Sequence, residues 1–210
     1  MTAQPASPSS FSPYRQHKRD AMIARILDAA RAIMREEGVA ALSMQELARR
    51  MDLRAPSLYN YFSSRMDVFD ALFRLGFSLF GQHMTAAVLG AQTWQDEVRL
   101  SLEAYMGFAK QNPELYQLCF ERPVPGFVPS AESLQVSFGI LNESYQRTAA
   151  RLPQLDTDLN PQQVGDLLIA ITHGLTALHL ANEPEMPLGA GRFGSLIPAV
   201  MSVLDAAWAR

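Results

Sequence analysis

Apolar residues recur along this chain at steps of three and four, the spacing that gives a helix one buried face. In the first such stretch the stripe consists of Ile23, Ile26, Leu27, Ala30, Ile33 and Met34. Gly38 follows it and is suited to end a helix. The same periodicity predicts an all-α protein of about nine helices. Their expected bounds are roughly 19–37, 43–51, 55–62, 64–88, 94–111, 113–118, 131–152, 161–182 and 193–208.

Two short helices joined by a tight turn are expected within residues 43–62. Ser43 and Glu46 have the spacing of a capping box, in which the serine accepts from a backbone amide and the glutamate reaches back. Asp52 falls in the turn, where aspartate tolerates a left-handed backbone. The second helix has Pro56 in its first turn and otherwise shows mostly polar and aromatic side chains. The pattern is that of a helix-turn-helix, whose second helix enters the major groove of DNA.

Charge is distributed unevenly along the 210 residues, whose net charge is −3. Residues 15–65 contain ten Arg and Lys against six Asp and Glu, whereas residues 76–210 contain seven against thirteen. A basic head on an acidic body suits DNA binding, because phosphates attract the first and repel the second. Residues 1–18 are predicted to form a disordered tail with a basic end, which either lies against DNA phosphates or is simply solvated.

Residues 26–73 resemble the DNA-binding domain of the tetracycline-repressor (TetR) family of bacterial transcription regulators. The features that match are Gly38, Ser43, Leu47, Ala48, the run Ser57–Phe62 and Arg65. Two positions differ from the family pattern: Asp52 stands where glycine is usual, and Arg54 stands where a Ser or Thr usually caps the recognition helix. The resemblance implies a helix-turn-helix DNA-binding domain over 19–65 and a ligand-binding and dimerisation domain over 66–210.

Carried over position by position, the resemblance also implies a set of DNA contacts. Four side chains are expected on phosphates, where they fix the register: Ser43, Tyr59, Tyr61 and Arg65. Five are expected to read the groove: Gln45, Ala55, Pro56, Ser57 and Asn60. Arg54 is suited to either role. The implied partner is double-stranded operator DNA with a palindromic sequence.

The acidic body offers apolar walls with few polar groups, which describes a typical small-molecule pocket. The candidate lining residues are Phe73, Phe77, Phe80, His83, Tyr105, Met106, Tyr116, Phe120, Thr172 and His173. Because the body is negatively charged, we expect a small hydrophobic effector that is neutral or cationic, unless an anion finds an unpaired arginine. The run Asn112–Tyr116 and His173-Gly174 are similar to a regulatory domain named for a Trp-His-Gly triplet, although Thr172 replaces the tryptophan.

Small and apolar residues on the last two predicted helices favour a four-helix bundle between two copies of the chain. The candidate interface residues are Ala170, Gly174, Ala177, Ala181, Leu196, Val200 and Leu204. Residues 120–130 carry three prolines and a glycine, and the sequence leaves open whether they form a lid or a plain surface loop. Cys119 is expected to be a buried small hydrophobe; a thiol sensor is the alternative.

No enzymatic constellation is recognisable. The four histidines have no metal-ligand spacing with Cys, Asp or Glu, and no phosphate-binding glycine motif or nucleophile elbow occurs. We therefore expect no catalytic residues, no metal and no cofactor, and neither a membrane span nor a signal peptide, hence a cytoplasmic protein. The leading hypothesis is a homodimeric repressor that a small molecule releases from DNA. The rival is a soluble small-molecule carrier whose DNA-binding head is vestigial.

Overall fold

A computed structural model describes residues 13–208 of the chain. Within this range the protein is all-α, without a β-strand. The α-helices are α1 Pro13–Glu37, α2 Met44–Arg50, α3 Ala55–Leu58, α4 Arg65–Val88, α5 Trp94–Gln111, α6 Pro113–Tyr116, α7 Ala131–Arg151, α8 Pro161–Asn182, α9 Gly191–Gly194 and α10 Ile197–Trp208. A π-helical turn, Gln117–Glu121, continues α6. The chain divides after Val68 into two compact units.

The first unit is built on α1, whose buried face carries Ile26, Ala30, Ile33 and Met34. These belong to the predicted stripe, and Gly38 ends the helix with φ +91°, as predicted. Helix α1 begins at Pro13, so residues 13–18 are helical where the sequence predicted a tail. Lys18 lies over the Tyr14 ring at 4.5 Å, one turn earlier on the same helix, and this pair fits a helical course. The earlier part of the predicted tail, residues 1–12, lies outside the described residues.

The second unit packs its helices around aromatic side chains and two further apolar clusters. One cluster joins α5, α8 and α10 through Trp94, Leu155, Val164, Leu204 and Trp208. The other joins α5 and α10 through Leu102, Met106 and Ile197. Helix α8 starts with a capping box: the Asn160 side chain accepts from the Gln163 amide and the Gln163 side chain accepts from the Asn160 amide.

The predicted last helix, 193–208, is interrupted at Ser195–Leu196 and forms α9 and α10. The reason is Pro198, which lacks the amide hydrogen that would bond to the Gly194 carbonyl in a continuous helix. Proline instead occupies the first turn of α10, where a missing donor costs least.

Helix α8 is long and apolar enough to cross a membrane, judged by length and composition alone. It nevertheless buries polar side chains, Thr172, Thr176 and His179, and it packs against α5, α7 and α9. Core helices of globular proteins pass the same test, and the contacts of α8 are those of such a helix.

Candidate DNA-binding surface and ligand cavity

The turn that joins α2 to α3 is fixed by backbone bonds. Ser43 caps α2 by accepting from the Glu46 amide at 3.1 Å. Asp52 adopts the left-handed conformation, φ +53°, as predicted, and the Leu53 amide donates to the Ala48 carbonyl at 2.9 Å. Arg54 precedes α3 without a side-chain capping bond, in accord with the lost cap expected there.

The second half of the predicted capping box is wrong. The Glu46 carboxylate does not reach back to Ser43; it accepts from Arg49 Nε at 2.7 Å and from Arg50 Nε at 2.9 Å. These hydrogen bonds lower the pKa of Glu46 to about 2. Arg50 also donates to Glu36 and Glu37 at the end of α1, each at 2.6 Å. Charge-assisted hydrogen bonds from two arginines are stronger than a single bond from a backbone amide, so the Glu46 carboxylate binds the arginines instead of the Ser43 amide.

The predicted DNA contacts lie at the start of α2, on α3 with the residues on either side of it, and at the start of α4. Regular helix ends at Leu58, earlier than the predicted Phe62, but the Tyr61 and Phe62 amides still donate to the Leu58 carbonyl. Leu58 and Phe62 are buried and anchor this segment. Of the ten predicted contacts, the exposed ones are Gln45, Arg54, Pro56, Tyr59, Asn60 and Arg65, and the half-buried ones are Ser43, Ala55, Ser57 and Tyr61.

Arg19 on α1 holds the end of this segment, and the sequence analysis did not single it out. Its Nη1 donates to the Asn60 carbonyl at 2.9 Å, and its guanidinium lies 5.3 Å from the centre of the Tyr61 ring. The Asn60 backbone is therefore fixed by α1, while its side chain is exposed and available to a groove. Directly afterwards, Ser64 caps α4 by accepting from the Asp67 amide at 3.2 Å.

The second unit contains a cavity of about 320 Å³ between α4, α5, α7 and α8. Its aromatic wall consists of Phe77 and Phe80 on α4, Tyr105 on α5 and Phe120 after α6, whose rings contact one another at centroid distances of 5.2–6.4 Å. Helix α7 lines the opposite side from Ser137 to Arg151. The volume lies at the lower end of the range for small-molecule pockets.

A buried polar cluster lies behind the aromatic wall. The Tyr105 and Tyr116 hydroxyls are each 3.1 Å from Nδ1 of His173. Burial raises the pKa of both tyrosines, so both keep their protons. A protonated hydroxyl can donate to Nδ1 or accept from it, and the tautomer of His173 decides the direction of each bond. Of these three residues, Tyr105 also lines the cavity.

Charged residues occupy one end of the cavity: Glu97 on α5, and Arg147 and Arg151 on α7. Arg151 Nε donates to Glu97 Oε2 at 2.8 Å, and its Nη1 and Nη2 donate to the carbonyls of Gln92 and Ala91 at 2.9 and 2.8 Å. Arg147 Nε lies 3.6 Å from Glu97 Oε1, an ion-pair distance longer than a hydrogen bond. The net charge of the three groups is +1.

Comparisons with known proteins bear on both units. The sequence profile of the bacterial regulatory proteins of the tetR family matches residues 26–72, which include α2 and α3. The HTH-type transcriptional regulator Rv1816 of Mycobacterium tuberculosis (strain ATCC 25618 / H37Rv) is 26% identical over 155 residues. This match covers 70% of the chain but only 66% of the relative's length. Over residues 26–72 the chain is similar to the TetR family of bacterial regulatory proteins.

Solved structures show the same fold over nearly the whole chain. A protein of unknown function from Rhodococcus sp. RHA1 superposes with a TM-score of 0.75 at 19% identity, over 90% of this chain and 96% of that one. The transcriptional regulator FadR from Bacillus subtilis, in complex with stearoyl-CoA, superposes with a TM-score of 0.64 at 15% identity, over 86% and 96%. At these identities the likeness concerns the fold.

The cavity contains five of the ten residues that the sequence predicted for it: Phe77, Phe80, Tyr105, Phe120 and Thr172. The other five pack elsewhere. The Phe73 ring contacts the Phe77 ring at a tilt, with their centroids 4.8 Å apart. His83 faces Phe108, and Met106 is buried in the cluster with Ile197. Tyr116 and His173 lie behind the wall. The sequence analysis missed the whole α7 side, where Arg147 and Arg151, one helical turn apart, were the available signal.

The segment between α6 and α7 packs on α4 rather than over the cavity. Phe127 contacts Phe69 and Phe73 at 5.8 and 6.2 Å, and Ser130, which caps α7, donates to Asp70. Of the described residues that line the cavity, none falls between 121 and 130. The loop reading of this segment therefore fits the structure better than the lid reading.

The remaining candidates for chemistry are enclosed. Cys119 is buried, its Sγ lies 3.7 Å from the Phe73 carbonyl, and burial raises the pKa of its thiol. A buried neutral thiol is inert, which favours the predicted role as a small hydrophobe over a sensor. Within residues 13–208, no group of three His, Cys, Asp or Glu side chains could hold a metal ion.

The predicted dimer face is exposed on α8 but only partly on α10. Ala170 and Ala181 are exposed, and a Cβ added at Gly174 would meet no atom within 4 Å. On α10, however, Leu204 is buried in the cluster with Trp94 and Trp208, and Val200 packs against the same cluster. The assignment of Leu204 to an interface is therefore wrong for this structure, because that face of α10 is turned into its own core.

Proposed function

We propose that this chain is a cytoplasmic transcriptional repressor of the TetR family that binds a palindromic operator as a homodimer and is released by a small hydrophobic effector. The observation that supports DNA binding is the α2–α3 pair, a helix-turn-helix matched by the family profile. It presents exposed Gln45, Tyr59 and Asn60 on a basic unit. Amide side chains on an exposed helix can bond to base edges, and arginines can bond to phosphates.

Exposed apolar faces on α8 and α10 support the homodimer. On α8 the exposed residues are Leu167, Ala170, Leu178 and Ala181, spaced by three or four or multiples of them. Leu196, directly before α10, and Ala199 and Val203 on α10 are also exposed. A contiguous exposed apolar face is the usual mark of a protein–protein interface. Pairing α8 and α10 with their copies would cover both faces in one four-helix arrangement with two-fold symmetry.

The cavity supports control by a ligand. Most of its lining is apolar, and the likeness in fold to FadR, which was solved in complex with stearoyl-CoA, is consistent with a ligand site within this kind of domain. Helix α4 contributes Phe77, Phe80 and Met84 to the lining, and it begins at Arg65, directly after α3 and its following turn. A ligand that moves α4 would therefore move the residues that continue into the DNA-binding unit.

The cavity would equally serve a small-molecule carrier, which is the second candidate function. A carrier needs no sequence-specific DNA affinity, so DNA binding separates the two. A gel-shift experiment would compare a fragment from the protein's own promoter region with a random fragment of equal length. The repressor predicts a discrete complex with the promoter fragment that survives an excess of random DNA. Equal, weak binding to both fragments would favour the carrier.

A further inference from the structure

Charged side chains line one end of the cavity, and a purely apolar ligand would not require them. Of the described residues that line it, three are charged: Glu97, Arg147 and Arg151. Arg151 has a structural reason to be there, since its three donors hold Glu97 and the two carbonyls of the chain before α5. The Arg147 guanidinium has no comparable set of partners, and its one ion pair among the described residues is the 3.6 Å contact with Glu97.

This end carries an excess positive charge in a partly enclosed place. The side chains of Glu97 and Arg151 are 15% and 24% exposed, and that of Arg147 is 29% exposed. One carboxylate between two guanidinium groups neutralises only one of them. Burying an unpaired charge is costly, whereas a second carboxylate would complete the second pair. The site is therefore matched to a monoanion and mismatched to a cation.

The rest of the cavity fixes the shape of the molecule that would carry this anion. The lining on α7 extends from Ser137 to Arg151, a rise of about 21 Å along a helix, with the arginines at one end. Towards the other end lie Phe77 and Phe80, since Gly81, the next residue of α4, lies against Ile140 of α7, and the Phe120 ring contacts both. At roughly 30 Å³ per non-hydrogen atom, the space estimated for a water molecule, the volume accommodates about ten such atoms.

We propose that the cavity binds a medium-chain carboxylate, with the carboxylate group at Arg147 and the hydrocarbon chain along the aromatic wall. This inference rests on the proposed function of the cavity as the effector site and names the class of effector. It departs from the neutral or cationic ligand expected from the net charge of residues 76–210, because the charge at the wall decides what binds there.

The test uses three probes that differ only in the head group: octanoate, octan-1-ol and octylamine. Isothermal titration of the full-length protein should give octanoate an affinity at least about tenfold above that of octanol, since a charge-assisted bond replaces a neutral one. Octylamine should be the weakest. Arg147→Gln should abolish the preference for octanoate and leave octanol binding unchanged, and Arg147→Lys should retain part of it.

Arg99→Gln is the matched control. Arg99 lies on α5, pairs with Asp96 and Glu103, and does not line the cavity, so this change removes one arginine and should leave octanoate binding as in the wild type. Glu97→Gln provides a second measurement that does not depend on Arg147 variants folding. It removes the competing carboxylate and should strengthen octanoate binding at least severalfold, without affecting octanol.

The proposal is overturned if octanol binds as tightly as octanoate, if octylamine binds more tightly, or if none of the three binds. It is also overturned if folded Arg147→Gln keeps the preference, or if Glu97→Gln weakens octanoate. These titrations contain no DNA, and the promoter gel shift contains no ligand. Failure of the carboxylate proposal and failure of the proposed DNA binding are therefore separate results.

Discussion

The side chains predicted to contact DNA fall into two groups: some are suited to read bases, and others are suited to bind the DNA phosphate backbone. Asn60 has its carbonyl bound by Arg19 and its side chain exposed, an arrangement that aims an amide outward from a fixed backbone. Arg65 is exposed at the start of α4. An amide can bond bidentately to adenine, whereas an arginine at a helix start is suited to a phosphate.

Replacing each of these two residues should therefore have a different effect on DNA binding. Arg65→Ala should weaken binding to specific and random DNA alike and reduce the salt slope by about one, since one phosphate contact is lost. Asn60→Ala should cost about 1–3 kcal/mol at one base pair and relax the preference there. Anisotropy titrations at several salt concentrations, with single-base variants of the promoter fragment, measure both. If Arg65→Ala bound both kinds of DNA with wild-type affinity, Arg65 would not be a DNA contact.

The Glu46 carboxylate gives a pH-dependent prediction. Its pKa in the folded protein is about 2, below the ordinary 4.5, so its contribution to stability is present above pH 4.5 and is lost as the pH falls towards 2. The difference in urea midpoint between the wild type and Glu46→Gln should be constant from pH 7 to 5 and shrink by pH 3.5. A difference that persists unchanged at pH 3.5 would mean that the arginine bonds do not stabilise the fold.

Residue patterns predicted the backbone better than the side-chain partners. The caps Ser43, Ser64 and Asn160 and the left-handed Asp52 follow from local rules, because both partners lie within four residues in sequence. The choice of Glu46 between Ser43 and the arginines was not decided by its spacing, since both lie within one helical turn. Arg19 meets Asn60 across 41 residues, and no local pattern reports such a contact.

Helix α10 shows that the spacing of apolar residues alone does not tell a buried helix face from an exposed one. Its sequence is apolar on two sides, so the spacing of Val200 and Leu204 fits an interface as well as the spacing of Ala199 and Val203 does. The structure turns Leu204 inward against Trp94 and leaves Val203 67% exposed. Only the packing of α10 on α5 distinguishes the two stripes, and that packing is not a property of the helix itself.

Two adjacent substitutions on α10 should consequently behave differently. Val203→Glu places a charge on the proposed dimer face and should give folded monomers in sedimentation experiments, with operator binding lost at the same time. Leu204→Ala removes core contacts and should lower the free energy of unfolding by about 2–5 kcal/mol while leaving the association state unchanged. A dimeric Val203→Glu protein would place the interface elsewhere.

For the whole molecule, the sequence predicted the all-α fold and the aromatic side of the cavity but missed its α7 side. Phe77 and Phe80 could be found because they form a stripe on one long helix. Glu97 and Arg147 come from helices 50 residues apart and meet only when α5 packs near α7. A count of charges along the sequence could therefore not predict the sign of the charge at the cavity wall.

Ligand and DNA should affect one another reciprocally if the cavity controls the DNA-binding unit. Any cavity ligand that lowers operator affinity by a given factor must bind more weakly, by the same factor, to protein saturated with operator. A complete switch requires a factor of about 10⁴ between the two states. Titration of a ligand found by thermal shift, with and without saturating operator fragment, measures this. Tight binding that leaves operator affinity unchanged would show a cavity without a switch.

The most direct test of the account is a footprint of the purified protein on the DNA of its own promoter region. A homodimer with one α3 segment per subunit predicts two protected half-sites, related by two-fold symmetry and centred one helical turn, about 34–36 Å, or a multiple of it apart. Val203→Glu should lose both half-sites together at concentrations where the wild type protects them. Uniform weak protection, indistinguishable from that of random DNA, would contradict sequence-specific binding by α2 and α3.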